Sequence, residues 1–315
     1  MVEDVLMHLP RSRLVQMSEY FAKHLLARDG DADEPAPAAL DQCAVARVTG
    51  VCAEDFEALL GVCDDPSIFI QRQPPFKTLI AVFCAARTLS FRQIDALATS
   101  RLESLWPSDL HKLSPVRTPH AAETVVLSRM YSLPAVRKRA FYELLRSEGF
   151  AQRGVDDNGG GGSGGSGALP DGTLLDGSRL LGRAKLSHAD MVRLVTTREK
   201  LQMAWTLLVG TAPSPAAFPC MLQQTTSANT AYSTHAARKR CSDACRSSAQ
   251  IWAEWVLDSG LFENWMYDPV CGLERLSVLD WEHSGFCSAC VMTRRQLWAR
   301  KREEIWDNLD TWLGL

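Results

Sequence analysis

The chain has 315 residues, of which 46% are hydrophobic and 23% charged, enough apolar material for one large core or two ordinary ones. Its formal net charge of -3 supplies no global field to attract nucleic acid, so any phosphate binding would have to be local. No apolar run approaches the roughly 20 residues that span a bilayer, and no basic segment followed by an apolar signal core opens the sequence, so an intracellular protein of cytoplasm or nucleus, without membrane association, is expected.

At the N-terminus Val5, Met7 and Leu9 alternate with Leu6 and His8 in a strand-like run that Pro10 ends. Ser12 is then placed to cap a helix with Leu14, Met17, Tyr20 and Phe21 on one face. A polar, Pro-containing insertion follows from Asp29 to Asp41. Val48 to Cys52 reads as a short apolar strand and turn leading into a helix in which Phe56, Leu59 and Leu60 are spaced for burial. Pro75 to Ala86 and Phe91 to Leu102 read as paired helices. Val136, Ala140, Phe141, Leu144 and Leu145 then recur at helical spacing between Leu133 and Phe150.

These passages, with Leu105-Trp106-Pro107, Pro119 to Glu123, Lys138 to Leu145, Cys287 to Cys290 and Ile305 to Leu315, resemble fungal BTB/POZ-domain-like proteins carrying a Cys- and Trp-rich helical region. The resemblance implies an α+β fold: an N-terminal BTB/POZ-like domain with a small sheet and flanking helices, followed by a mainly helical domain. The first strand of the family pattern is missing, since the sequence starts at the turn around Glu3-Asp4, and Pro10-Arg11 stands where the family often has His-Arg. These departures leave strand-exchanged dimerisation without support.

Asp156 to Gly167 consists entirely of Gly, Ser, Asp and Asn, which makes it a flexible linker rather than a phosphate loop, because no Gly-Lys-Ser/Thr ending follows. The expected organisation is therefore a BTB/POZ-like domain with a helical extension over residues 1–150, a linker over 151–179 and a helical Cys/Trp-rich domain over 180–315. In the last, Ser187 and Asp190 have capping-box spacing for a helix running to about Val209. Val291, Trp298, Ile305, Leu309 and Trp312 form the apolar stripe of a long terminal helix. Eight of the nine tryptophans follow residue 200, as the core of this helical domain or as an aromatic binding groove.

The chemistry-bearing residues of this region are cysteines. Cys241 and Cys245, with Cys287 and Cys290 some forty residues later, are two close pairs of the kind a tetrahedral zinc site requires, and Cys220 or Cys271 could replace a member. The alternatives are reduced core thiols, since cysteine is among the most buried residue types, and a redox pair at Cys287-Ser288-Ala289-Cys290. One structural zinc ion would close the fold.

No G-x-S-x-G, H-E-x-x-H or P-loop is present, so an enzyme is not expected. An unfamiliar catalyst would have to unite polar groups such as His188, His235 or His283. Arg238 to Arg240 and the Arg294, Arg295, Arg300, Lys301 and Arg302 series could serve a nucleic-acid-associated regulator or form solvated helix faces. The family resemblance instead implies a protein-binding adaptor, with homo-association and recruitment of a cullin-type ubiquitin ligase scaffold as its partners; the ligase step is a fold-level analogy.

Overall fold

The computed structural model describes residues 1–26, 46–147, 185–214, 220 and 233–315. The insertion and linker identified in the sequence lie outside these residues. Two compact units are present, one built from Met1–Trp106 and Ala122–Val136, the other from Pro107–Ala121, the stretch beginning at Arg137, and Leu186–Leu315.

The first unit is helical: α1 (Arg11–Met17), α2 (Glu19–Leu26), α3 (Ala53–Asp64), α4 (Pro66–Gln71), α5 (Phe76–Thr88), α6 (Arg92–Leu105) and α7 (Ala121–Met130). Helix α5 is its axis. Eight consecutive residues, Leu79 to Ala86, are buried, as expected of a helix with apolar residues on every side and neighbours on each. Helices α3 and α6 pack on it, contributing Phe56, Leu59, Ile94, Ala98 and Leu102 to a core that also takes in Phe21 and Phe91.

Local chemistry sets the joints. The chain reverses between α5 and α6 through Ser90, whose φ is 54°, with Phe91 N–H donating to the Ala86 carbonyl at 2.8 Å. Ser18 separates α1 from α2: its hydroxyl donates to the Leu89 carbonyl and accepts the Phe21 N–H at 3.1 Å, fastening the start of α2 to that reversal. Arg87 then makes a two-pronged ion pair with Asp95, at 3.0 and 3.1 Å, while its guanidinium lies over the rings of Phe83 and Tyr131.

The expected α+β fold is corrected to an all-α one. Among the described residues there is no strand; only isolated bridges join Val2 to Val5 and to Val48. The alternation from Val5 to Leu9 does not reflect a half-buried sheet: Val5 and Leu6 are both exposed, at 45% and 72%, while Met7 and Leu9 rest on the helical core. A strand needs a partner along its length, and residues 46–52 meet the N-terminus over a short stretch at Met1, whose ammonium donates to the Ala46 carbonyl at 2.6 Å and whose carbonyl accepts Val48 N–H at 2.9 Å. The helix expected after Ser12 also differs. It begins at Arg11 behind Pro10, makes no side-chain cap, and stops at Met17.

The second unit contains the body of α8 (Pro134–Leu145), α9 (His188–Val209), α10 (Ser233–Arg246), α11 (Ser248–Trp252) running into a π-helical turn Ala253–Leu257, α12 (Leu261–Asn264), α13 (Pro269–Val278) and α14 (Ser288–Leu313). Helix α9 has the capping box anticipated from Ser187 and Asp190 and the length anticipated from its sequence. Val291, Trp298, Ile305 and Leu309 are buried on α14, with Trp306 and Leu313 beside them, and α14 packs on both α13 and α9.

An ionic knot lies inside this unit. Arg146 is fully buried and donates to both carboxylate oxygens of Glu143, to Asp268 and to the carbonyls of Ser114 and Val116, at 2.6 to 3.0 Å. Arg139 pairs with the same Glu143, and the Tyr142 hydroxyl donates to Asp268 at 2.6 Å. Two guanidinium groups thus meet two carboxylates, which is the condition for keeping charge in a low-dielectric interior. Burial works against the charge on Arg146, but Asp268 and Glu143 more than offset it, raising its pKa.

Candidate metal centre

Four thiols from separate parts of the second unit meet. Helix α10 presents Cys241, α14 presents Cys287 at its N-cap and Cys290 in its first turn, and Cys220 comes from the segment between α9 and α10. Cys220, Cys241 and Cys290 are buried and Cys287 is partly exposed.

The approach to α14 is shaped for this. Gly285 has a φ of 94°, in the left-handed region where a side chain is strained, and a Cβ there would come 3.5 Å from that of Ala244 on α10. Phe286 is buried against Trp281. The tight turn followed by a buried aromatic directs Cys287 and Cys290 toward α10, and Cys287 N–H donates to the Cys241 sulfur at 3.3 Å.

The Sγ atom of Cys220 lies 3.6 Å from that of Cys241 and 3.8 Å from that of Cys287. Cys241 and Cys290 are 3.7 Å apart, and all four sulfurs lie within 4.8 Å of one another. Four thiolates at about 2.3 Å from a zinc ion stand about 3.8 Å apart along the edges of the tetrahedron. The three short separations match those edges, and they are far longer than the roughly 2.05 Å of a disulfide bond. The residues therefore fit a tetrathiolate metal site in both donor type and spacing.

Electrostatics set what a metal would have to displace. Burial pushes the Cys241 thiol up to about 12, and burial together with the neighbouring thiols drives Cys290 above the ordinary thiol range. At Cys287 burial opposes ionisation, but the Cys290 amide and the surrounding thiols outweigh it and lower the pKa. A divalent cation would replace the protons that these groups otherwise retain. The resulting centre would carry two net negative charges, and a cation is held close by in sequence: Arg294, one turn beyond Cys290, is 5% exposed, lies 4.1 Å from the Phe286 ring centroid and donates to the Cys290 carbonyl.

Of the cysteines singled out in the sequence, the structure brings together Cys241, Cys287 and Cys290, with Cys220 as the fourth. Cys245 follows Cys241 by one helical turn, is half-buried and does not belong to the cluster. Cys271 is buried elsewhere, with its amide donating to Asp268 and its sulfur 3.8 Å from an Arg146 nitrogen. Cys220 could be ranked above Cys245 only by knowing the path of the chain; its position just after Pro219, isolated from other cysteines, is the only local signal. The ionic knot was not legible as a constellation, because Arg146 and Asp268 are 122 residues apart.

The other functional candidates are structural or exposed. Trp252, Trp281 and Trp298 are buried in one aromatic cluster that Trp255 joins, and Trp205 is buried with its indole N–H donating to the Phe262 carbonyl at 2.8 Å. On α14, Arg295 binds the Ser277 carbonyl, Lys301 pairs with Glu304, and Arg302 with Glu274. His188, His235 and His283 are each exposed. No helix among the described residues is long and apolar enough to cross a membrane. No family model, curated protein or solved structure matches the chain.

Proposed function

We propose that the second unit is a helical protein-binding module closed by one structural zinc ion on Cys220, Cys241, Cys287 and Cys290, and that the chain acts through protein association rather than catalysis. The observation that carries the metal assignment is the tetrahedral-edge spacing of the four sulfurs. Four thiolates saturate zinc and leave no position for a water nucleophile, so the ion's contribution is to cross-link three chain segments. Binding rather than chemistry is also favoured by the exposed, dispersed histidines and by a tryptophan set used largely for packing. The cullin step depended on a BTB sheet that the described residues do not form, so the proposal stops at protein binding.

On α14, Arg294, Arg295, Lys301 and Arg302 each have a partner, while Arg300 and, on α10, Lys239 and Arg240 are exposed, so the nucleic-acid alternative is kept as an outcome of the test. The test is metal analysis of the purified full-length chain, followed by affinity capture from its native cells and mass spectrometry. One zinc per chain and a reproducible set of protein partners are expected. Metal-free protein with native melting would overturn the zinc assignment. Salt-dependent retention on DNA without protein partners would overturn the binding role.

A further inference from the structure

Helix α9 has two apolar faces, and the fold uses one. Leu194, Thr197, Leu201, Trp205 and Val209 are buried. On the other side Val192, Val195, Met203 and Leu207 are exposed, at 47%, 44%, 65% and 74%. With about 100° between successive residues, Val192, Met203 and Leu207 project within about 60° of one another, and Val195 lies about 60° to the other side of Val192. Midway along this stripe stand Glu199 and Lys200, both exposed. An amphipathic surface helix needs one apolar stripe; a second along its solvent side, with one charged pair at its centre, marks an association surface.

We infer that this stripe is a homodimer interface in which α9 pairs antiparallel with α9 of a second copy. The reason for choosing a second copy is that the charge pattern complements itself under a two-fold axis through the centre of the stripe. In that arrangement Val192 faces Leu207 of the second copy, Thr196 faces its Met203, and Glu199 faces its Lys200; each contact then recurs by symmetry. Both acid-base pairs fall at the middle of the interface with apolar contacts on each side. A parallel, in-register pair would instead set Glu199 against its own counterpart and Lys200 against its own. One helix pair covers less than the roughly 800 Å² per partner of a standard interface, so the dimer is weak and concentration-dependent. This inference goes beyond the metal centre and does not depend on it.

The experiment is sedimentation equilibrium of the metal-replete full-length chain over a wide concentration range, with Glu199→Lys, Lys200→Glu and Met203→Asp variants. All three positions are exposed, so the folded monomer is unaffected, as circular dichroism will verify. The parent chain is expected to dimerise, and each charge reversal to weaken the dimer about tenfold, because two like-charge contacts replace two attractive ones. Mixing Glu199→Lys with Lys200→Glu should restore association as a heterodimer, and Met203→Asp should abolish it. Three results would overturn the inference: a monomer at every concentration, a dimer indifferent to these changes, or strong hydrogen-exchange protection of the stripe in the monomer, which would mean that the chain covers it with its own residues.

Discussion

Cys245 and Cys220 differ in whether they can reach a metal held by Cys241, Cys287 and Cys290. Cys220 sits 3.6 Å from Cys241 and 3.8 Å from Cys287, whereas Cys245 lies one turn along α10, outside the cluster. Replacing Cys220 with serine removes one soft donor from the tetrahedron, and metal affinity should fall at least tenfold. Cys245→Ser should leave it unchanged. Cobalt substitution reads the difference directly, since the sulfur-to-metal charge-transfer absorption scales with the number of bound thiolates: the Cys245 variant should keep the four-thiolate intensity and the Cys220 variant should lose about a quarter of it. Equal spectra from both variants would remove Cys220 from the site. The sequence makes Cys241 and Cys245 the natural pair, because one turn of helix aligns them; the folded chain instead fills the fourth corner with a residue from outside either pair.

Helix packing in the second unit depends on one small residue. Gly272 on α13 faces Trp205 of α9, and a Cβ at that position would come within 2.6 Å of one indole atom, 2.9 Å of another and 2.7 Å of the Trp265 Cβ. Trp205 is fully buried and its N–H is tied to Phe262, so it cannot swing aside without losing that bond. Gly272→Ala should therefore cost about 1–3 kcal/mol through overpacking, despite alanine's better helix propensity, and thermal denaturation should show a lower midpoint; an unchanged or higher midpoint would show that the two helices can separate freely. The same scale shows what was legible beforehand. Helices α3, α8 and α14 follow from apolar spacing, α5 and α6 read as a helical pair, and the capping box locates the start of α9 to the residue. The expected sheet failed because alternation over Val5 to Leu9 is too short to distinguish a strand from an irregular segment whose alternate side chains touch a helical core. Which helices would meet was not legible, since the Gly272 contact with Trp205 joins positions 67 residues apart and no local pattern encodes it.

At the scale of the whole molecule, the four-cysteine cluster and the first unit's core are separate sources of order. The first unit is held by apolar burial around α5, with Leu79, Ile80, Val82, Phe83 and Ala86 each fully buried. It contains none of the four clustered cysteines. In the second unit the sulfur cluster brings the start of α14, α10 and Cys220 together, so with the proposed zinc bound, its removal would release three segments at once and leave buried thiols without the cation that favours their ionised form. Chelation of the purified protein should consequently act on one unit. Hydrogen exchange followed by peptide mass spectrometry should show α10 and the first turns of α14 losing protection, while α5 and α6 keep theirs. Re-addition of zinc should restore the original pattern, because no disulfide needs to be reduced in the cluster. Equal loss of protection in α5 would mean that the chain unfolds as one cooperative body. Unchanged protection in α10 and α14 would mean that thiol packing alone holds the cluster together.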